Sequence, residues 1–373
     1  MRAYLDHAST TPLRPAARRA MVAWLERDDV GDPGRLHAEG VTARVAVEEA
    51  RERVAAALGA RPREVVFTSG ATESIAMACF GAAQSRGQRS VLGAIEHSAV
   101  REWANRGEVS LVAVSPRGRL DVESLAAAIT GPPSAISLVH CQWGNHEVGT
   151  LQPVHDVVAT VDGRALVHVD AAAAVGHVRV AFDDSGMDLL SVSGHKFGAP
   201  TGVGVLLIRR GLRLPPLLVG GDQERARRAG MENVAGLAGF AAALEAATAA
   251  LDVESKSARS LTDRVIAWAD AAEGVDVLGD PRDRLPHLVC LELAGVEPQP
   301  VLLGLDAAGV SVHSGSSCSS ESIEPSPVLQ AMGVDAERSL RISVGWSSTD
   351  DDIDRLLDAL PVVLSQLRSL RRD

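Results

Sequence analysis

Apolar side chains recur along this chain in two alternating rhythms. Small or apolar residues at Ala43, Val47, Ala50, Val54 and Leu58 fall three or four positions apart, which predicts a helix over 42–58. Glu64-Val65-Val66-Phe67-Thr68 follows, rich in β-branched and aromatic residues and stopped by Ser69-Gly70, and predicts a buried strand. Further strands are predicted near 90–95, 109–114, 135–140, 165–169, 189–193 and 203–208, with helices near 122–129 and 154–161. This alternation predicts an α/β fold, a mainly parallel sheet with helices on both faces. Beyond Leu251 the rhythm changes to a charged helix over 254–272, short strands near 288–293 and 341–344, and a helix over 349–370. The change predicts a large domain of residues 13–251 and a smaller α+β domain of 252–373, with residues 1–12 packed onto the latter.

Composition narrows the function. A net charge of −11 argues against a broad phosphate-backbone footprint, so no direct nucleic-acid binding is expected. The start, Met1-Arg2-Ala3-Tyr4-Leu5-Asp6-His7, lacks the apolar core of a signal peptide. The most lipid-like run, 234–251, is interrupted by Glu245 and is mostly alanine and glycine, so a buried helix is expected and no membrane span. Four cysteines (Cys79, Cys141, Cys290, Cys318) have no metal-ligand spacing. Reduced thiols, no metal and a cytoplasmic location follow as expectations.

Only two residues of the chain are lysine, Lys196 and Lys256; every other basic side chain is arginine. Lys196 sits in Ser193-Gly194-His195-Lys196, between an apolar approach and a Gly/Pro-rich exit. An amine can lose its proton and form a Schiff base, which a guanidinium cannot do. A lysine reaching for solvent at a strand end is the other reading. Polar residues also gather where predicted strands end. Thr68-Ser69-Gly70-Ala71-Thr72-Glu73 opens a helix, either as an anion site or as an ordinary hydroxyl cap. His97 ends one strand, as a catalyst or a hydrogen-bonded bystander. Asn145-His146-Glu147 ends another, and Asp170 a third, as a cap or a buried charge awaiting a cation. Together, an anion cradle, a histidine, a strand-end aspartate and a low-lying lysine are the parts needed to hold pyridoxal 5'-phosphate.

The order and spacing of these segments resemble the cysteine desulfurases of the NifS/IscS type, which are fold-type I pyridoxal-phosphate enzymes related to the class V aminotransferases. The resemblance runs nearly end to end, through Tyr4-Leu5-Asp6 with Thr10-Thr11-Pro12, Thr68 to Ser74, Glu96-His97, Asn145 with Glu147-Val148-Gly149 and His168-Val169-Asp170-Ala171. It continues through Ser193 to Lys196, Gln223-Glu224-Arg225, Glu232-Asn233-Val234, Ser314 to Cys318 and Arg341 to Gly345. It implies that Lys196 carries the cofactor and shuttles protons, that Asp170 pairs with the pyridine nitrogen, and that His97 stacks on the ring and assists proton transfer. It further implies that Ala71, Thr72, Ser193 and His195 hold the phosphate and that Asn145 and Arg341 bind the substrate carboxylate. Cys318, in a serine- and glycine-rich loop over 314–321, would be the nucleophile. It would convert L-cysteine to L-alanine and take the sulfur as a persulfide for a sulfur-acceptor protein, either a scaffold for iron–sulfur cluster assembly or a thiolation enzyme. A homodimer is implied too.

The chain departs from the pattern at several positions. Ala173 stands where glutamine is usual, Met231 where a threonine reaches the phosphate, Ile75-Ala76 where Asp-Asn is familiar, and Trp346 where arginine is common. These departures keep two alternatives open: a related class V lyase or aminotransferase such as selenocysteine lyase, and a degenerate scaffold for sulfur transfer.

Overall fold

The computed structural model describes residues 2–130, 136–315 and 325–370. The chain opens with β1 (Ala3–Tyr4), α1 (Pro15–Leu25), α2 (Ala38–Ala57), β2 (Val65–Thr68), α3 (Ala71–Ser85), β3 (Arg89–Gly93), α4 (Ser98–Ala104) and β4 (Glu108–Val112). Next come α5 (Val122–Ala128), β5 (Ile136–Gln142), α6 (Val154–Val161), β6 (Leu166–Asp170), β7 (Leu189–Ser193), β8 (Gly204–Ile208), α7 (Gln223–Ala226) and α8 (Val234–Ala249). After them lie α9 (Leu251–Ala271), β9 (Val275–Leu278), β10 (Leu288–Leu293), α10 (Pro298–Ala307) and β11 (Val310–Ser311). The last elements are α11 (Pro327–Met332), β12 (Ser339–Ser343) and α12 (Asp350–Leu370).

Seven strands form the main sheet in the order β2-β8-β7-β6-β5-β3-β4. Only β8 runs opposite to the other six, so the sheet is mainly parallel. Alternate strand residues serve opposite faces. Val65, Phe67, Val139, Val167, Val169, Leu190, Val192, Val205 and Leu207 join the core under α1, α2, α5, α6 and α8. Val66, Leu138, Leu166, Leu189, Leu206 and Ile208 face α3 and α4. The run over 234–251 becomes α8, largely buried, and bends by 73° into α9. No single helix among the described residues is long and apolar enough to cross a membrane.

A second core gathers Ala3 and Leu5 with residues between Ala258 and Leu364. It packs on a three-stranded antiparallel sheet, β12-β10-β9, and on the parallel pair of β1 with β11. Residues Asp6 to Arg14 then cross from this core to the end of the main sheet. There Thr11 N–H donates to the His195 carbonyl and Arg14 N–H to the Gly198 carbonyl. Helix α1 went unpredicted because its apolar stripe is thin: Ala17 is its one buried residue among the described ones.

Candidate active site

On the face covered by α3, three adjacent strands begin apolar and end polar. Leu138, His140 and Gln142 follow one another along β5; Leu166, His168 and Asp170 along β6; Leu189, Ser191 and Ser193 along β7. All six polar side chains are buried. The register sets Gln142 beside Asp170 and Asp170 beside Ser191. The carboxyl ends of parallel strands open into a crevice, and a cavity of about 660 Å³ lies there. Ser69 to Thr72, His97, Asp170, Ser193, His195, Lys196 and Arg341 all line it.

Helix α3 starts at this crevice with Gly70 as its N-cap and no side-chain cap. The ordinary hydroxyl-cap reading of Thr68-Ser69 therefore does not apply, and the first N–H groups of a fifteen-residue helix face the cavity end occupied by Ala71 and Thr72. The close approach of β8 is what lets this turn form: a Cβ on Gly204 would sit 2.5 Å from the Cα of Gly70. Ser193 Oγ and His195 Nδ1 are 3.2 Å apart on the same wall. Burial and the neighbouring Lys196 push the His195 imidazole down to about 4, so it is neutral near pH 7. This end of the cavity can hold a phosphate group.

Lys196 projects from the turn after β7. Its Nζ donates to the carbonyls of Ala8 (2.6 Å) and Ser9 (3.2 Å). Its own carbonyl accepts from Thr11 Oγ1 (3.0 Å) and His177 Nε2 (3.2 Å), while Arg14 Nε donates to the next carbonyl, that of Phe197. Segment 8–14 thus grips the lysine turn from both sides. Asp170 is 7 % exposed at the cavity floor and accepts from Ala172 N–H at 3.0 Å. His97 caps α4, accepting from Ala99 N–H, and meets His146 edge to face with ring centroids 4.9 Å apart.

Arg341 is 1 % exposed and reaches the cavity from β12. Its guanidinium donates to the His146 carbonyl, to Asp6 Oδ1 (3.1 Å) and to Ser9 Oγ (2.7 Å), and its buried Nε has no partner among the described residues. Asn145 is not among the residues that line the cavity. Its amide donates to the Ile95 carbonyl and to Gln142 Oε1, and its Oδ1 accepts from the N–H groups of Glu147 and Val148. Its four hydrogen-bonding positions tie the turn after β5 together and join it to the Ile95 carbonyl.

Several cavity residues were given no role of their own from the sequence, although Thr10 and His146 fall within segments it singled out. Ser9 and Thr10 arrive from the crossing segment, and Gln142 and His146 from β5 and its turn. The alternation of apolar and polar positions along β5, β6 and β7 could have exposed Gln142. Glu96, next to His97, is fully buried. Its Oε1 accepts from Gln142 N–H while Oε2 has no partner among the described residues, and burial with the nearby Asp170 charge pushes its carboxyl well up. Cys79, Cys141 and Cys290 are buried, and burial raises each thiol. Cys318 and most of the loop assigned to it lie outside the described residues. No cluster among the described residues could hold a metal ion.

The description Aminotransferase class-V matches residues 3–356. The cysteine desulfurase IscS of Dictyoglomus turgidum is 39 % identical over 380 residues, covering 98 % of this chain and 95 % of that protein. The IscS-like cysteine desulfurase of Mycobacterium tuberculosis is also 39 % identical, over 385 residues, covering 98 % and 97 %. Among solved structures, a NifS-like protein superposes with a TM-score of 0.91 at 32 % identity, over 98 % of this chain and 100 % of that one. SspA, solved in complex with cysteine, gives 0.80 at 27 % identity over 93 % of this chain and 100 % of its own.

Proposed function

The chain belongs to the class-V aminotransferase family, among the cysteine desulfurases of the NifS/IscS type, and from that premise we propose that it removes sulfur from L-cysteine with bound pyridoxal 5'-phosphate. The observation that carries this reading is the convergence of Lys196, Asp170, His97, Arg341 and the α3 N-terminus on one cavity at the strand ends. The residues suit the group. An amine faces the cavity, a buried carboxylate lines it, the α3 N-terminus with no side-chain cap stands at one end, and a buried guanidinium nitrogen at another has no partner among the described residues. When bound, the cofactor supplies a pyridine ring that withdraws electrons from the substrate α-carbon.

The chain's own residues then have separable tasks. Arg341, held by Asp6 and Ser9, orients the substrate carboxylate. Asp170 keeps a proton on the pyridine nitrogen. Lys196 takes and returns the proton at the α-carbon, the Ala8 and Ser9 carbonyls holding its amine in reach. His97 would pack against the cofactor when it is bound and assist the proton transfer. The Cys318 thiolate bonds to the substrate sulfur as the carbon–sulfur bond breaks, and that carbon takes a proton. L-cysteine and an enzyme thiol become L-alanine and an enzyme persulfide, with atoms balanced. A homodimer that passes the persulfide sulfur to an acceptor protein completes the reading.

Cys318→Ala tests it. The cofactor absorbance is expected to persist while sulfide release with a thiol reductant falls by about a hundredfold or more. Unchanged turnover would favour a class V lyase that works without this thiol.

A further inference from the structure

The turn after β5 holds a chain of hydrogen bonds whose direction is fixed from one end. Asn145 Oδ1 accepts from two backbone N–H groups, those of Glu147 and Val148, both at 2.9 Å. Its nitrogen must therefore donate, to the Ile95 carbonyl and at 3.0 Å to Gln142 Oε1. That bond orients Gln142 in turn, leaving its Nε2 toward His146 Nδ1 at 3.1 Å. An amide nitrogen only donates, so His146 Nδ1 accepts, and the proton of the neutral ring sits on Nε2. Nε2 lies 3.5 Å from Glu147 Oε1. The other Glu147 oxygen accepts from the hydroxyl of Ser326, which is fully buried and caps α11.

His146 therefore sits at a junction. Its ring edges against His97, its carbonyl receives Arg341, and its Nε2–H points to the carboxylate that holds Ser326. Ser326 follows Cys318 by eight positions in the sequence. We propose that His146 is a positioning residue, locked as the neutral Nε2–H tautomer by Gln142, which keeps His97, Arg341 and the Glu147–Ser326 pair in one register. Burial lowers its proton affinity, and of the charged or titratable groups facing it His97 and Arg341 lower it as well while Glu147 raises it. A second proton would have to enter on Nδ1, against the Gln142 amide. The ring is expected to stay neutral across the working pH range. The kinetic consequence rests on the desulfurase reading; the tautomer does not.

Long-range proton–nitrogen correlation spectra of the nitrogen-15 histidine-labelled full chain, assigned with His146→Asn, test the lock directly. An unprotonated Nδ1 and a protonated Nε2 at pH 6–8 are expected, and a protonated Nδ1 would overturn the proposal. Gln142→Glu replaces the donor by an acceptor of the same shape. It should draw a proton onto Nδ1, and kcat should then drop about fivefold or more below pH 7, with KM for L-cysteine changing less than about twofold. A folded variant whose profile superposes on the parent also overturns it. Should that variant not fold, Glu147→Gln serves. A shifted His146 Nε2 signal with a severalfold lower kcat is expected, and neither changing refutes the proposal. Parent protein that shows the tautomer but no turnover on L-cysteine would sink the desulfurase reading alone.

Discussion

His140 and His168 meet across neighbouring strands with their Nδ1 atoms 3.0 Å apart, both rings fully buried. One must donate and the other accept, so the pair holds a single proton between its facing nitrogens. The chain extends at one end to Ser191 Oγ, 2.8 Å from His168 Nε2, and at the other to Cys79 Sγ, 3.7 Å from His140 Nε2.

Burial pushes His140 down to about 3 and His168 well below its ordinary value. The folded state refuses protons that the unfolded chain takes up below about pH 6.5. Stability is therefore full above that pH and is lost as pH falls toward 3, each ring removing up to about 1.4 kcal/mol per pH unit. Urea unfolding at pH 7.5 and pH 5 should give a clearly lower midpoint at pH 5; equal midpoints would contradict the pairing. At pH 7.5, His140→Leu should cost about 1–3 kcal/mol because it leaves the buried Nδ1 of His168 unsatisfied.

Arg51 and Glu224 form a buried two-pronged ion pair, at 2.7 and 2.8 Å, and Glu224 also accepts from Phe67 N–H at 2.9 Å. The pair holds a turn in which Glu224, Arg225 and Ala226 all adopt positive φ (50°, 58° and 59°). Glu224→Ala should destabilise by up to roughly 3–5 kcal/mol, since it leaves the buried guanidinium with only the half-exposed Glu48 carboxylate, at 3.2 Å from Nε, as a counter-charge. Ala226→Gly should stabilise by roughly 1 kcal/mol by relieving the left-handed backbone. Thermal unfolding of the two variants should move in opposite directions.

Lys196→Arg keeps the charge and discards the chemistry. The variant should fold normally, because the contacts that fix the turn run through the Lys196 and Phe197 carbonyls. It should lose bound pyridoxal phosphate on dialysis and fall in activity by about a thousandfold or more. Retention of a covalently held cofactor after borohydride reduction would contradict the assignment.

Ala173 lines the cavity without a polar group, where the resemblance leads one to expect glutamine. Ala173→Gln should slow the loss of cofactor absorbance during dialysis severalfold and shift the pH at which that absorbance changes. Faster loss would mean that the cavity has closed around alanine.

The sheet was legible because apolar rhythm reports burial directly. Segments such as 189–193 and 154–161 coincide with β7 and α6, and the remaining boundaries fall within a few residues. Lys196 and Asp170 were legible as exceptions, a rare amine and a carboxylate placed after apolar runs. Residues that act through neighbours were not. Asn145 reads as a ligand in a polar cluster, yet its amide also ties a turn together, a task that linear spacing cannot reveal. Ser9, Thr11 and Arg14 carry little pattern of their own and gain meaning only when segment 8–14 is laid against Lys196.

Strand β1 pairs Ala3 with Val310 and Tyr4 with Ser311, and the residues just after it grip both Lys196 and Arg341. During translation, then, β1 has no strand partner until Val310 has been made. The main sheet can assemble before that, because its strands all precede Arg209. A nascent chain thus carries the lysine turn before the strand that anchors segment 8–14 has its partner, and the site is complete only once Ala3 and Val310 have met.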